Sequence, residues 1–394
     1  MYTTRPLSLY QDCPEALRLL PEGPNSGYLV LQGDKTIKTS FFGFFKDTKI
    51  IKNWLIEDLP FPQNKYLSII TGDNRSQTID DVYLIPVINQ PLSSNRYYAI
   101  KADGRQRGEA YVSSVKEDMG ICCFCSIPCI LDEDPRPFDQ DDVYQQFKFF
   151  VTNSNLGRFM PTAKSVALDG IPPKVLKARG CQMKSNTPEN FYIGEAQGID
   201  SSLRAHLPDF NFWSSQVCSN PVVVGKWYCP FIFIKDGRRK DQVKENVFYE
   251  MTLEQQWEQI YAAERSCNQG KKVTVDVIVP TESVKIAGQE AAQEERNNDR
   301  GAVWFRSKNE SGIEVFVGLS TLIVERMMWE QERVRWIKEQ RVTVVKDETY
   351  EGTGDWKRFG CYLLVESFVL KRNNGRILLT YDFRHTHQIR SKWE

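Results

Sequence analysis

Apolar and polar residues alternate over the end of the chain. From Ile377 to Trp393 the odd positions read Ile377, Leu379, Tyr381, Phe383, His385, His387, Ile389, Ser391 and Trp393. The even positions read Leu378, Thr380, Asp382, Arg384, Thr386, Gln388, Arg390 and Lys392. A period of two sends successive side chains to opposite faces, so the pattern predicts a strand with one apolar and one mostly polar face. Tyr381, Phe383, His385, His387 and Ile389 should then point inward, and Asp382, Arg384, Thr386 and Gln388 toward solvent or polar neighbours. At about 3.3 Å per residue such a strand would reach roughly 55 Å, which predicts a bend or bulge along it.

Shorter aromatic and β-branched runs at 27–32, 65–70, 81–88 and 96–101, punctuated by Pro and Gly, predict strands in the first third, where no long amphipathic helix is evident before residue 140. Four times an aromatic run meets a turn dipeptide and returns. Asp103-Gly104 lies within 96–112, Asp236-Gly237 within 226–248, Ser311-Gly312 within 301–317 and Asn374-Gly375 within 367–383. Such dipeptides supply the positive φ angles of tight turns, so four antiparallel hairpins are expected. ERMMWE (325–330) and IRSKWE (389–394) share Arg, Trp and Glu at matched spacing, a hint of internal repetition. One short helix is expected, and a second stretch fits a helix as well as the repeated strand pattern. Thr252 with Gln255 forms a capping-box pattern ahead of Trp257, Ile260 and Tyr261, and residues 322–338 place Ile323, Met327, Val334 and Ile337 on one side. The polar stretch 287–301 reads as a solvated excursion between strands.

The expected fold class is therefore α+β, mostly β, with antiparallel hairpins in sandwich-like or bent sheets and few short helices. The Gly- and Pro-bearing stretch around Gly170, Pro172 and Pro173 suggests a β-rich domain at 1–165, a linker at 166–186 and a second β-rich domain with the repeated hairpins at 187–394.

The 394 residues carry 51 basic and 51 acidic side chains. That balance leaves no global positive field and disfavours nucleic acid as a partner. The longest near-apolar run, Val222 to Ile234, is interrupted by Lys226 and is shorter than the about 20 residues of a membrane-spanning helix. The opening residues lack the apolar core of a signal peptide, and outside one cluster the ten cysteines form no pairing framework. Reduced thiols in the cytosol are the expectation.

Several long words run through the chain: MYTTRPLS (1–8), PEGPNSGYLV (21–30), DLPFPQNK (58–65), IPVINQPLSSNRYY (85–98), EDMGICCFC (117–125), VGKWYCPFIF (224–233), YEMTLEQQWE (249–258) and TYDFRHTHQIRSKWE (380–394). In these the sequence resembles a plant-specific family catalogued as domain of unknown function 1262. The resemblance implies a higher-plant source and intracellular residence, and brings no activity and no catalytic residues.

Three constellations could carry chemistry. Cys122, Cys123, Cys125 and Cys129 lie within ICCFCSIPCI (121–130). Their spacing lacks the paired knuckles of zinc sites, and no metal is expected. Flanked by Phe124 and isoleucines, they could instead carry two acyl chains, the number needed for stable anchoring at a membrane. His385 and His387, spaced i, i+2 on one strand face, are the candidate acid–base pair, with core histidines as the plainer explanation. The glycines of PEGPNSGYLV open a strand rather than a helix and so read as a turn, not a phosphate cradle. GRRK at 237–240 reads as a solvated hairpin tip. No cofactor-binding motif is present. Three functions stay open: a non-catalytic binding or scaffold protein of the plant cytosol, linked to stress or defence, with a small molecule or a protein as its partner; a cofactor-independent isomerase, cyclase or hydrolase acting on a small metabolite; and an S-acylated peripheral membrane protein. A solvent-open histidine with a carboxylate in reach would favour the enzyme.

Overall fold

The structure is a computed structural model. It describes all residues except 34, 42–44, 52–53, 56–57, 72–77, 117–118, 122–127, 154–158, 178–181, 266–269 and 297–300. The protein is α+β and mostly β, with short helices, as expected. The chain divides into two compact units, each built from two segments: Met1–Ala196 with Tyr228–Phe248, and Gln197–Trp227 with Tyr249–Glu394.

In the first unit, antiparallel strands run in the order Phe159–Ser165, Gln146–Asn153, Arg96–Lys101, Thr78–Pro86, Tyr66–Thr71, Gln182–Asn186, Trp54–Leu55. Phe61, Leu67, Leu84, Tyr97, Phe147 and Phe149 form a core. In it Phe61 meets Tyr97 and Phe149 edge-on, the arrangement that aromatic quadrupoles favour. Strand Tyr2–Pro6 pairs in parallel with Gly27–Leu31. PEGPNS is the turn that leads into the latter, closed by Ser26 Oγ donating to the Glu22 and Pro24 carbonyls.

In the second unit, the final strand Ile377–Trp393 pairs with Arg358–Lys371, and that strand with Phe248–Glu264. The other side of Ile377–Trp393 carries Glu282–Ile286, followed by Gln289–Glu294, Ala302–Lys308 and Glu314–Ser320. The antiparallel ribbon Lys272–Pro280 with Arg341–Thr349 supplies Val279 and Val344, which pack against Leu363 and Val365. Leu364 and Glu366, between and beside them in a period-two strand, thus face the other way. There Trp257, Tyr362 and Leu364 cluster with Leu207, Phe210 and Phe212.

Two of the four expected hairpins form as drawn. Ala302–Lys308 returns as Glu314–Ser320, and Arg358–Lys371 returns as Ile377–Trp393. Gly312 (φ +76°) and Gly375 (φ +79°) sit in their turns, where a Cβ would meet the left-handed backbone. At Gly104 the return is wider and pairs only near Ala110, through Tyr111 N–H to the Ala99 carbonyl and Lys101 N–H to that of Glu109. The expected hairpin at Asp236-Gly237 is not there. Past Gly237 the chain enters the helix Arg239–Glu245, so GRRK starts a helix instead of capping a hairpin. ERMMWE lies in a helix and IRSKWE runs out along the final strand, so these words occupy unlike elements.

The capping-box helix at Thr252 is also a strand, Phe248–Glu264. Leu253, Gln255 and Trp257 are buried, whereas Glu254, Gln256 and Glu258 are part-exposed. The period was two, masked by a glutamine at an inward position. The stretch left open between helix and strand is a helix, Thr321–Glu332, with Ser320 Oγ accepting from Leu322 N–H. Ile323 and Met327 are buried on it, but Ile337 lies beyond its end and is exposed. Part of the solvated excursion is a hairpin, Glu282–Ile286 with Gln289–Glu294.

Candidate functional site

The final strand keeps its period as far as His385. Tyr381, Phe383 and His385 are buried, and the expected bulge comes directly after them. Leu364 is paired with His385, but its neighbour Leu363 is paired with Ile389. Residues 386–388 therefore leave the ladder, as extra residues of a bulge do. This corrects the expectation for His387, which is exposed, whereas His385 is 2% exposed. The two imidazoles still meet edge to face, ring centroids 5.6 Å apart. On the other face Asp382 and Arg384 are buried among polar partners. Asp382 accepts from Ser367 Oγ (2.6 Å) and Lys285 Nζ (3.0 Å), and Arg384 donates to both oxygens of Glu258 at 3.2 Å.

Beside His385 lies a buried ionic network assembled from distant segments. Glu366 is the single charge in the middle of the apolar strand Arg358–Lys371. A carboxylate there must be matched by cations and hydrogen bonds, because its desolvation costs several kcal/mol. Arg204 supplies the match. It sits on the short helix Ser201–His206, whose N-cap Asp200 accepts from Leu203 N–H at 2.9 Å. Its Nε and Nη2 grip the two Glu366 oxygens at 2.9 and 2.5 Å. Gln255, directly opposite Glu366 on the neighbouring strand, adds Nε2 at 2.8 Å. Arg204 also reaches Glu330 on the helix Thr321–Glu332, at 3.4 Å, and Arg326, one turn before Glu330, donates to it as well. Burial pushes the Glu366 carboxyl up. The Arg204 hydrogen bonds and charge, with His385 and Gln255, outweigh it and hold the group below the usual carboxylate range.

His385 Nε2 lies 3.0 Å from Gln331 Oε1 and 3.8 Å from Glu366 Oε2. Burial pulls the imidazole pKa down to about 4 against the opposing pull of Glu366, with His387 and Arg204 lowering it further. His385 is therefore neutral near pH 7. His387 is also lowered, by partial burial and by Arg335.

These groups line a recess of about 320 Å³ within the second unit. Its floor is the buried set Arg204, Gln255, Leu364, Glu366 and His385; its rim includes the exposed Ala205, Arg333 and His387. Sequence reasoning singled out His385 and His387 and missed Arg204, Gln255, Glu330 and Glu366. Glu366 had a signal, a lone acid in FGCYLLVESFVL (359–370), which demands a buried partner. Arg204 had none, since SSLRAH is an ordinary polar helix.

Cys122, Cys123 and Cys125 fall outside the described residues. Cys129 pairs through its backbone with Gly120 in a short two-stranded ribbon. Among the described residues no group of His, Cys, Asp or Glu is placed to hold a metal ion, and no helix is long and apolar enough to cross a membrane.

A family model described as "Protein of unknown function (DUF1262)" matches residues 22–124, a stretch that holds none of the recess residues. The comparison with curated proteins finds no match. Among solved structures, the crystal structure of Cry35Ab1 is similar at a TM-score of 0.42 and 12% sequence identity, over 84% of this chain and 90% of that one. A likeness at that level carries no argument about activity.

Proposed function

We propose that the protein is a non-catalytic binding protein that holds a small molecule in the recess around His385. One observation carries this reading: the carboxylate beside the histidine is already engaged. Glu366 takes three hydrogen bonds from Arg204 and Gln255, and it stays 3.8 Å from His385 Nε2. A general base works best with a pKa near the working pH, and His385 at about 4 is a weak one. Buried apolar and polar groups converging on a concave site suit recognition. The test is a thermal-shift screen of a small-metabolite panel against the wild type and Ala205→Trp, which fills the rim from an exposed helix position. Compounds that stabilise the wild type and not the variant are expected. If the wild type turns a panel compound over, and His385→Gln abolishes that turnover, the reading is overturned in favour of an enzyme.

Residence in the cytosol of a plant cell, with a link to stress or defence, belongs to the same proposal and rests on sequence alone. So does acylation at Cys122, Cys123, Cys125 and Cys129. Serine at all four should move the protein from membrane to soluble fractions, and a wild type found wholly soluble removes that idea.

A further inference from the structure

The ribbon of Lys272–Pro280 and Arg341–Thr349 is a two-stranded sheet, and among the described residues no third strand joins it. One face is spent on the core of the second unit, with Val273, Val275, Val279 and Val344 buried. The ladder fixes which backbone groups are spent within the ribbon. Tyr350 N–H donates to the Lys271 carbonyl at 2.8 Å, and bonded pairs alternate along an antiparallel ladder. The N–H and C=O groups of Val342, Val344, Lys346 and Glu348 therefore point at Lys272–Pro280, whereas those of Arg341, Thr343, Val345 and Asp347 point outward. These outward groups have no partner among the described residues, and all four residues are exposed, Val345 to 68%.

Such an edge is a template for another strand unless something blunts it. On Lys272–Pro280 the blunting residue is Pro280, whose nitrogen stands on the outer edge and carries no N–H. Arg341–Thr349 has neither proline nor glycine. Its exposed face instead carries two opposite charges, Arg341 and Asp347, at equal distances either side of Val344. Asp347 is steadied across the ribbon by Thr274 Oγ1 at 2.6 Å and Lys272 Nζ at 2.8 Å. Arg341 has no ionic partner among the described residues.

We propose that this edge pairs with the same edge of a second copy of the chain, antiparallel about a two-fold axis at Val344. In that register Arg341 stands opposite the partner's Asp347 and Thr343 opposite the partner's Val345, and these are the residues whose outward groups can exchange hydrogen bonds. Opposite charges directly across a strand pair stabilise it. With the axis one residue on, at Val345, Arg341 meets Thr349 and Asp347 meets Thr343, and both ion pairs are lost. The charges that guard the edge against indiscriminate pairing are thus satisfied in one register of self-pairing.

The test is sedimentation velocity of the full chain over a roughly hundredfold range of concentration. The wild type should pass from monomer to dimer. Val345→Pro removes one outward N–H and no hydrogen bond of the ribbon, so it should stay monomeric with a thermal transition close to that of the wild type. Arg341→Glu and Asp347→Lys each set like charges opposite one another, and each alone should be monomeric. Mixed, the two variants restore both ion pairs, and a heterodimer should form, which a merely structural defect in either would not produce. Should Val345→Pro fail to fold, the mixture decides. A wild type monomeric throughout, a dimer unaffected by Val345→Pro, or a mixture no more associated than its components overturns the inference. A monomeric wild type that binds a Val- and Thr-rich peptide of unrelated sequence assigns the edge to a different protein and overturns self-pairing.

Discussion

At the scale of single residues, the site is decided by where charge is buried. Removing one partner of a buried ion pair leaves the other uncompensated, at a cost of about 3–5 kcal/mol. Arg204→Met should therefore destabilise the protein by that order in denaturant titration, and Arg204→Met combined with Glu366→Met should recover part of the loss. His385 makes a pH prediction. Its folded-state pKa of about 4 lies below the ordinary 6.5, so between those values the unfolded chain binds the proton and the folded one does not. Its contribution is complete above pH 6.5 and is lost as pH falls toward 4, on the order of 3 kcal/mol over that window. Glu366, also lowered, acts in the same direction as pH falls through its own folded value. His385→Gln, which keeps a hydrogen-bonding side chain but no titration, should flatten the stability profile of the wild type between pH 6.5 and 4.

At the scale of elements, local pattern and turn chemistry decide most outcomes. Gly312 and Gly375 hold positive φ, and a Cβ at either would meet no neighbour within 4 Å, so only the backbone conformation opposes a side chain. Gly375→Ala should cost about 1 kcal/mol, read as a lowered unfolding midpoint with an unchanged denaturant slope. Asp236-Gly237 carries the same signal and no hairpin. Gly237 does adopt positive φ (+70°), but the residues after it enter the helix Arg239–Glu245, where Gln242 and Val243 are buried. A turn dipeptide sets the turn and leaves the next element to its own packing. Trp257, buried against Phe210 with its Nε1 donating to the Pro208 carbonyl at 2.9 Å, shows the converse. Its strand was disguised by Gln255, an inward glutamine whose partners are remote in sequence.

At the scale of the whole molecule, each unit is closed by segments far apart in the chain, and the second needs Gln197–Trp227 to bring Arg204 to Glu366. A fragment spanning 249–394 lacks that arginine, so it should give no cooperative thermal transition, monitored by near-ultraviolet circular dichroism. By itself the sequence determined the class of fold, the final strand with its bulge, and two hairpins, because period-two alternation and positive-φ turns are local properties written over a few residues. It also marked His385 as inward. Only the tertiary structure decided that His387 turns out, that Thr252 opens no helix, and that Arg204, Gln255, Glu330 and Glu366 meet. The physical reason is that a buried charge is stabilised by whichever cation the fold delivers to it, and that delivery depends on the crossing of segments more than a hundred residues apart, which no local pattern records.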